Sequence, residues 1–232
     1  MSDAAAQLEA LAGRISGCTL CPRLVAWREE VAVNPPARYR GEQYWARPVP
    51  GFGDPQARLV VVGLAPAAHG GNRTGRVFTG DRSGDWLFAA MNRAGYSNQP
   101  TSLHRGDGLR LADAYVSAVV RCAPPANRPT PDERDTCLPY LVEELRLLPR
   151  ARVVLALGAF AWDGALRALA VGGHETPRPK PRFGHCAEAA IGPYALLGSY
   201  HVSQQNTFTG RLTREMLDAI FSRARELAGS TP

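Results

Sequence analysis

Apolar residues form short continuous runs along the chain, and these alternate with longer stretches of helical spacing. The continuous runs predict four buried strands, at 58–64, 114–121, 152–157 and 194–199. The stretches of helical spacing predict five helices, at 3–17, 83–93, 130–148, 159–169 and 213–227. Ser83 and Thr213 are the predicted N-caps of two of these helices, and Pro131 suits the first turn of a third.

This alternation favours a parallel sheet with helices on both faces. Two segments, 34–55 and 172–185, are proline-rich and irregular, but neither is interpreted as a linker. We therefore expect residues 1–232 to form a single domain. Ligands of such sheets bind at the carboxyl ends of the strands, so the residues that follow the predicted strands are candidates for a functional site.

Composition and charge narrow the class of protein only slightly. No apolar run approaches the roughly 18 residues of a membrane span, and no signal peptide is recognisable, so we expect a cytoplasmic protein without a membrane partner. The net charge is +6, and Lys180 is the only lysine. Arginine suits phosphates and base edges, but a preference for arginine codons explains the excess equally well. Charge alone is therefore weak support for a polyanionic partner.

The five cysteines raise the question of a metal. Cys18 and Cys21 form a CxxC pair after the first predicted helix, Cys122 ends a predicted strand, and Cys137 lies within a predicted helix. A disulfide scaffold does not fit a chain of this size without a signal peptide. A redox CxxC would follow a strand, and the wide spacing of Cys122 and Cys137 suits zinc poorly. An iron–sulfur cluster tolerates such spacing, and unpaired structural cysteines remain the alternative.

The first motif, GLAPAAHGGNRTGRVFTGD at 63–81, follows the first predicted strand. It approaches the phosphate-loop pattern GxxxxGK[ST], but Arg76 replaces the lysine and Val77 the hydroxyl residue that would hold magnesium. Alternatively, its small residues let the backbone approach a flat ligand, with Phe78 as a stacking ring and Asp81 as a nearby carboxylate. A purely structural interpretation makes Phe78 a core residue and Asp81 a helix cap.

The last motif, HVSQQNTFTGRLT at 201–213, follows the fourth predicted strand. It combines one imidazole with amides, threonines and an arginine, which is too polar for a core segment. Such donors suit phosphates, base edges and sugar oxygens.

Together the two motifs and four of the cysteines resemble the uracil-DNA glycosylase superfamily, and specifically its family 5 (type b) enzymes. The resemblance covers about 18–213. It implies a three-layer α/β/α sandwich around a central parallel sheet, here of four strands. It also implies a monofunctional glycosylase of base excision repair that flips uracil out of duplex DNA, hydrolyses its N-glycosidic bond and leaves an abasic site. We expect this enzyme to be a monomer.

The resemblance also implies roles for individual residues. Asp81 would activate water or stabilise the sugar cation, and His201 would donate a hydrogen bond to the base. The residues implied to surround the base are Gly63, Ala65, Pro66, Ala67, Phe78, Asn127 and His201. Those expected to contact DNA are Arg73, Arg76, Ser203, Gln204, Gln205, Asn206, Thr209 and Arg211. The implied ligands of a 4Fe–4S cluster are Cys18, Cys21, Cys122 and Cys137, with Cys186 left as a bystander.

The chain departs from its stricter iron–sulfur relatives at two places. Ala118 stands where those relatives carry an asparagine that reads uracil, which suggests a broader range such as hypoxanthine or etheno-cytosine; Asn127 is a partial substitute. Ala67 and Ala68 stand where other uracil glycosylases place a water-activating acid, so Asp81 is expected to replace it. A DNA-binding module without catalysis and a magnesium-dependent nucleotide hydrolase are the alternatives.

Overall fold

The computed structural model describes residues 3–229. Its helices are α1 (Asp3–Ser16), α2 (Pro22–Val33), α3 (Gly71–Thr74), α4 (Arg82–Arg93), α5 (Pro131–Leu147), α6 (Ala159–Val171), α7 (Gln204–Phe208) and α8 (Arg214–Leu227). Its strands are β1 (Phe52–Gly53), β2 (Leu59–Gly63), β3 (Ala114–Ala118), β4 (Val153–Leu157), β5 (Glu188–Ile191) and β6 (Tyr194–Ser199). None of the helices described combines the length and apolar character needed to cross a membrane.

The strands form one sheet in the order β1-β3-β2-β4-β6-β5. The four predicted strands are its parallel centre, while β1 and β5 add antiparallel edges. The predicted number of four strands was therefore too small. The sequence signal for β5 was weak because this strand has four residues and only Ile191 is fully buried, and β1 contains only two residues.

Both faces of the sheet are buried, which confirms the three-layer α/β/α arrangement. In β2, Val60 and Val62 belong to the core cluster that includes residues of α1, α5 and α6. Leu59 and Val61 belong to the other cluster, with residues of α4 and α8. This burial explains why the central strands are continuous apolar runs instead of alternating patterns.

The predicted helices all form, with boundaries within one or two residues in most cases, but α2 was missed. The buried positions of α2 are Leu24, Arg28 and Val31, which follow helical spacing. Because an arginine occupies the middle of this buried face, the apolar periodicity that would indicate a helix is interrupted. The side-chain amide of Asn72 donates to the carbonyl of Arg28 at 3.1 Å and so connects α2 to the first motif.

A buried ion pair joins the segment that follows β3 to α5. Arg121 donates to both carboxylate oxygens of Glu144, at 3.0 and 2.6 Å, and both side chains are 1% exposed. The Ser117 hydroxyl and the Gly51 backbone N–H donate to the same carboxylate. These extra donors supply the hydrogen bonds that a charge needs in the interior.

Candidate active site and four-cysteine site

The carboxyl ends of three parallel strands bring the two motifs together. Gly63 ends β2, Gly158 follows β4, and His201 lies two residues beyond β6. The Gly158 N–H donates to the carbonyl of Ser199 at 2.8 Å. A Cβ on Gly158 would lie 3.3 Å from the Cβ of His201, so the two chain segments are in close contact. The sheet thereby places the first and last motifs at one rim.

Phe78 and His201 form the centre of this rim. Their ring centroids are 6.1 Å apart, with the planes inclined at 37°. The Phe78 ring covers Gly63 so closely that a Cβ there would lie 2.6 Å from the phenyl Cζ. Phe78 also has φ = 52°, in the left-handed region that aromatic residues rarely adopt. Such backbone strain is typical of functional sites. We call Gly63, Phe78, Asp81 and His201 the rim pocket.

His201 is held in a largely apolar environment. Burial lowers its pKa to about 4, so the imidazole is neutral at pH 7. A neutral imidazole carries one N–H donor and one acceptor nitrogen. The side-chain amide of Asn206 donates to the backbone carbonyl of His201 at 2.8 Å. This bond makes Asn206, which was predicted to contact DNA, a residue that positions the histidine.

Asp81 is the N-cap of α4, and the predicted cap at Ser83 is wrong. Its Oδ1 accepts a hydrogen bond from the Gly84 N–H at 3.0 Å. Burial raises the pKa of Asp81, and the backbone N–H groups of Gly84 and Ser83 oppose this shift. Its Oδ2 lies against Gly70, where a Cβ would approach within 2.0 Å. Only glycine at 70 leaves room for this carboxylate.

The segment around Gly70 forms a turn and does not resemble a phosphate loop. The N–H groups of Gly70 and Asn72 both donate to the carbonyl of Ala67. Those of Arg73, Thr74 and Gly75 donate to carbonyls within the same segment. With these donors already bonded, the backbone cannot wrap a phosphate as a phosphate-binding loop does.

Three small residues of the first motif were predicted to line the pocket. Ala67 shapes this turn, Pro66 packs on Gly71, and Ala65 contacts the core.

Two arginines predicted to contact DNA are instead bonded within the protein. Arg76 is 5% exposed and forms an ion pair with Asp107 at 2.7 Å. Arg73 donates to Glu42 at 2.7 Å and to the Gly80 carbonyl at 3.0 Å. Neither position supports the predicted DNA contact, because these guanidinium groups satisfy acceptors of the first motif and its neighbours.

The last motif contains a short helix where only a polar loop was predicted. Ser203 is the N-cap of α7 and accepts from the Asn206 N–H. The side chains of the motif that face solvent include Gln204, Gln205, Thr209 and Arg211. They form an exposed polar surface beside His201.

Arg82 and Phe208 are exposed next to this surface but were not predicted as site residues from the sequence. Phe208 is 64% exposed, and the guanidinium carbon of Arg82 lies 4.6 Å from its ring centroid. An aromatic residue within an otherwise polar motif was the available signal. Arg211 lies in the same way over Tyr200, at 4.6 Å. Both arginines thus combine a positive charge with an aromatic ring near the rim pocket.

Asn127 lies away from these contacts in the structure. It is exposed, with φ = 54°, at the end of a short turn that begins at Pro125. Within residues 3–229, no hydrogen bond or ring contact joins it to Phe78, Asp81 or His201. The role of Asn127 beside the base therefore stays a prediction.

Four of the five cysteines line one recess, whose cavity volume is about 20 Å³. Cys18 follows α1, Cys21 is the N-cap residue of α2, and Cys137 lies in α5. We call Cys18, Cys21, Cys122 and Cys137 the four-cysteine site. Cys186 is exposed and is not part of this lining.

The thiols of this site are buried to different degrees. Burial raises the pKa of Cys122 to about 11 and that of Cys137 to about 12. Within residues 3–229, no three His, Cys, Asp or Glu side chains converge tightly enough to hold a metal ion between them. The four cysteines therefore share one recess without forming a tight cluster among the described residues.

Comparisons with known proteins agree with this geometry. A family model described as the uracil DNA glycosylase superfamily matches residues 50–225. A type-5 uracil-DNA glycosylase of Mycobacterium bovis is 56% identical over 93% of this chain and 80% of its own length. Type-5 enzymes of Mycobacterium leprae and Thermus thermophilus are 53% and 52% identical, over 99% and 95% of this chain and 99% and 98% of their own lengths. The chain therefore belongs to the uracil-DNA glycosylase superfamily and, within it, to the type-5 enzymes.

Proposed function

We propose that this chain excises uracil from DNA by hydrolysing the N-glycosidic bond and leaves an abasic site without cutting the strand. The observation that carries the proposal is the pair formed by Phe78 and His201 at the carboxyl edge of the sheet. The backbone of Phe78 is strained, and its ring lies beside the neutral imidazole of His201. The type-5 uracil-DNA glycosylases that are 52% and 56% identical support uracil as the base. An enzyme that acts on a base must first turn it out of the duplex.

Phe78 is the stacking partner of the flipped base in this proposal. Its ring is fixed by the close contact with Gly63 and by its own backbone conformation. A rigid ring loses little conformational entropy when a flat base packs on it. Base binding therefore needs little rearrangement of the pocket.

His201 donates a hydrogen bond to the base as negative charge develops on the leaving group. A neutral imidazole N–H can do this, because half-buried His201 keeps one donor nitrogen at pH 7. The Asn206 amide holds the backbone at this position. By comparison with deletions of single donors at other enzymes, the bond supplies about 3 kcal/mol of transition-state stabilisation.

Asp81 supplies negative charge near the sugar and orients the attacking water. Its Oδ1 is fixed by the α4 cap, while Oδ2 is the oxygen left for this role. A carboxylate stabilises the oxocarbenium-like character that the sugar acquires as the bond breaks. The close contact with Gly70 prevents the carboxylate from swinging out of position.

The exposed face of the last motif binds the DNA in this proposal. Gln204, Gln205, Thr209 and Arg211 offer donors to phosphates and base edges. Phe208 is the apolar group of this face and can occupy the gap that the flipped base leaves. The substrate in this proposal is double-stranded DNA, and one pocket in one monomer is sufficient. The proposed site of action is the cytoplasm.

We further propose that the pocket accepts deaminated bases besides uracil, with hypoxanthine first among them. Ala118 ends β3 directly opposite Gly63 in the sheet register. A methyl group at this position offers no hydrogen bond to the polar edge of uracil, so it discriminates weakly between bases. Asn127, which is exposed next to Pro125, remains the predicted partial substitute for the missing amide.

The four-cysteine site fits a 4Fe–4S cluster, which we propose as its occupant. A single tetrahedral zinc ion needs all four sulfurs about 2.3 Å from one point, whereas a cluster needs four thiolates around a larger space. Cys18, Cys21, Cys122 and Cys137 would hold it. When bound, the cluster would cross-link the loops at the start of α2 and beyond β3 and would take no part in base release.

The decisive experiment uses a duplex oligonucleotide with one deoxyuridine opposite guanine, without magnesium, followed by alkaline cleavage of abasic sites. We expect strand scission at the uracil after alkali and none before it. Scission only in a hypoxanthine duplex would correct the preferred base. Tight, salt-dependent DNA binding with no base release would make the chain a binding module and overturn the proposal.

A further inference from the structure

Arg28 is a buried charge without a carboxylate partner in the structure. Its side chain lies on the buried face of α2, and the residue is 4% exposed. Nη1 donates to the Cys122 sulfur at 3.1 Å and to the Cys18 carbonyl at 3.3 Å, while the buried Nε has no hydrogen-bond partner. Within residues 3–229, no carboxylate lies within salt-bridge distance of this guanidinium.

The other charged groups around the four-cysteine site are already paired. Arg121 also lines the recess, but it forms a bidentate ion pair with Glu144. Glu133, which is close enough to Cys21 to interact electrostatically, is bonded through both oxygens to Arg23 at 2.7 Å. Arg28 is therefore the one lining residue of the recess that carries an uncompensated charge in the part of the chain described here.

A buried charge is strongly destabilising unless it is paired. A neutral thiol and one carbonyl are poor partners for a guanidinium. Four metal-ligating thiolates, in contrast, make a site with net negative charge, because cysteine binds metals in its deprotonated form. We propose that Arg28 is the buried counter-charge of the four-cysteine site, so that its positive charge stabilises the fold only when the cysteines hold a metal centre.

This inference rests on the four-cysteine site proposed above, and it adds a requirement that the ligands alone do not impose. The sign of the Arg28 contribution should reverse between the metal-loaded and the metal-free protein. A residue that acts only by packing would contribute with the same sign in both states. The reversal therefore distinguishes a counter-charge from a structural side chain.

The test compares thermal unfolding of the wild type and Arg28→Met, which keeps most of the side-chain length and removes the charge. Each protein is measured as purified with its metal and again after anaerobic removal of the metal with a chelator and a reductant. We expect Arg28→Met to lower Tm by about 10 °C in the loaded protein, as loss of one member of a buried pair does. In the stripped protein we expect it to raise Tm by about 5 °C, or to restore a cooperative transition that the stripped wild type lacks.

Two matched variants separate the effect of the charge at position 28 from the effect of losing any arginine of the recess. Arg28→Lys keeps the charge, so it should retain most of the loaded stability and stay destabilised when stripped. Arg121→Met removes an arginine of the same recess whose partner is Glu144, so it should destabilise both states. In the loaded protein, Arg28→Met should also shift the reduction potential of an iron–sulfur centre to a more negative value, because a nearby positive charge favours the reduced form.

Destabilisation of both states by Arg28→Met would overturn the proposal and make Arg28 a packing residue. An unchanged Tm in both states would overturn it equally. Metal and sulfide analysis of the wild type separates this inference from the proposed cofactor. If the analysis found zinc in place of iron and sulfide, the proposed 4Fe–4S cluster would be wrong. The role of Arg28 would still be tested by whether the Tm change of Arg28→Met reverses sign between the loaded and the stripped protein.

Discussion

The rim pocket and the four-cysteine site both lie beyond the carboxyl ends of central strands, but different interactions hold them in place. In the rim pocket, Phe78, Asp81 and His201 are positioned by close backbone contacts and by bonds to main-chain groups. In the four-cysteine site, the side chains line a recess, and Arg28 faces them with no acidic partner among residues 3–229. The first geometry is complete in the protein alone, whereas the second needs an added group to balance its charge.

Because of this difference, substitutions in the two sites should affect different properties of the protein. A site built from backbone contacts tolerates loss of a functional side chain, since the turn and the cap remain. A site that balances a buried charge with a bound metal contributes its binding energy directly to folding. Changes in the rim pocket should therefore alter catalysis, and changes in the four-cysteine site should alter stability.

The largest stability effect is expected for Cys122→Ser. Serine is a poor ligand for the proposed centre, so the variant should lose the metal and about 4 kcal/mol of stability, the contribution of a ligand present at about 1,000 times its Kd. Metal analysis and chemical unfolding measure both quantities. Cys186→Ser is the control, because Cys186 is exposed and outside the recess. Equal stability of the two variants would remove the contrast between the sites.

His201→Ala should act on catalysis alone. Loss of the donor is expected to slow single-turnover uracil release about 10²- to 10³-fold. DNA affinity and metal content should stay at the wild-type level, because the four-cysteine site does not depend on this residue. The measurement is a single-turnover cleavage assay with a parallel binding titration. Wild-type rates in this variant would show that His201 is not the donor.

The low pKa of His201 predicts a pH-dependent term in stability. Since burial lowers this pKa to about 4, the unfolded chain binds a proton between about pH 6.5 and 4 that the folded chain does not. The free energy of unfolding should therefore decrease as the pH is lowered through this range. The contribution of His201 to this decrease is at most about 3 kcal/mol. The difference in unfolding free energy between wild type and His201→Ala isolates the term from other titrating groups. A difference that is constant from pH 7 to 4 would contradict it.

Gly70→Ala should produce a smaller effect that couples packing to catalysis. The new Cβ would lie 2.0 Å from Asp81 Oδ2, so the carboxylate must move. We expect a loss of about 2 kcal/mol in stability, as for other overpacked sites, together with slower base release. Gly13→Ala is the matched control, because nothing lies within 4 Å of its Cβ position in α1. Wild-type cleavage by Gly70→Ala would show that the present position of Asp81 is not required.

Much of the fold was predictable because its signals are local. The four central strands are continuous apolar runs, and Thr130 and Thr213 cap α5 and α8 as their sequences indicate. The edge strands were missed for a physical reason. In a short edge strand such as β5, where Ile191 is the one fully buried residue, the apolar pattern is too brief to detect, and the turn at Gly192 and Pro193 was the only signal available.

The order of the four central strands and the five long helices around them, the two motifs and the set of cysteines were all evident from sequence alone, since each depends on neighbouring residues. Only the tertiary structure decided which charged groups face inward. Arg76 is paired with Asp107, and Arg28 is buried beside Cys122 without an acidic partner in the described part of the chain. The electrostatic state of an arginine depends on groups brought to it by folding, and no local periodicity encodes those partners.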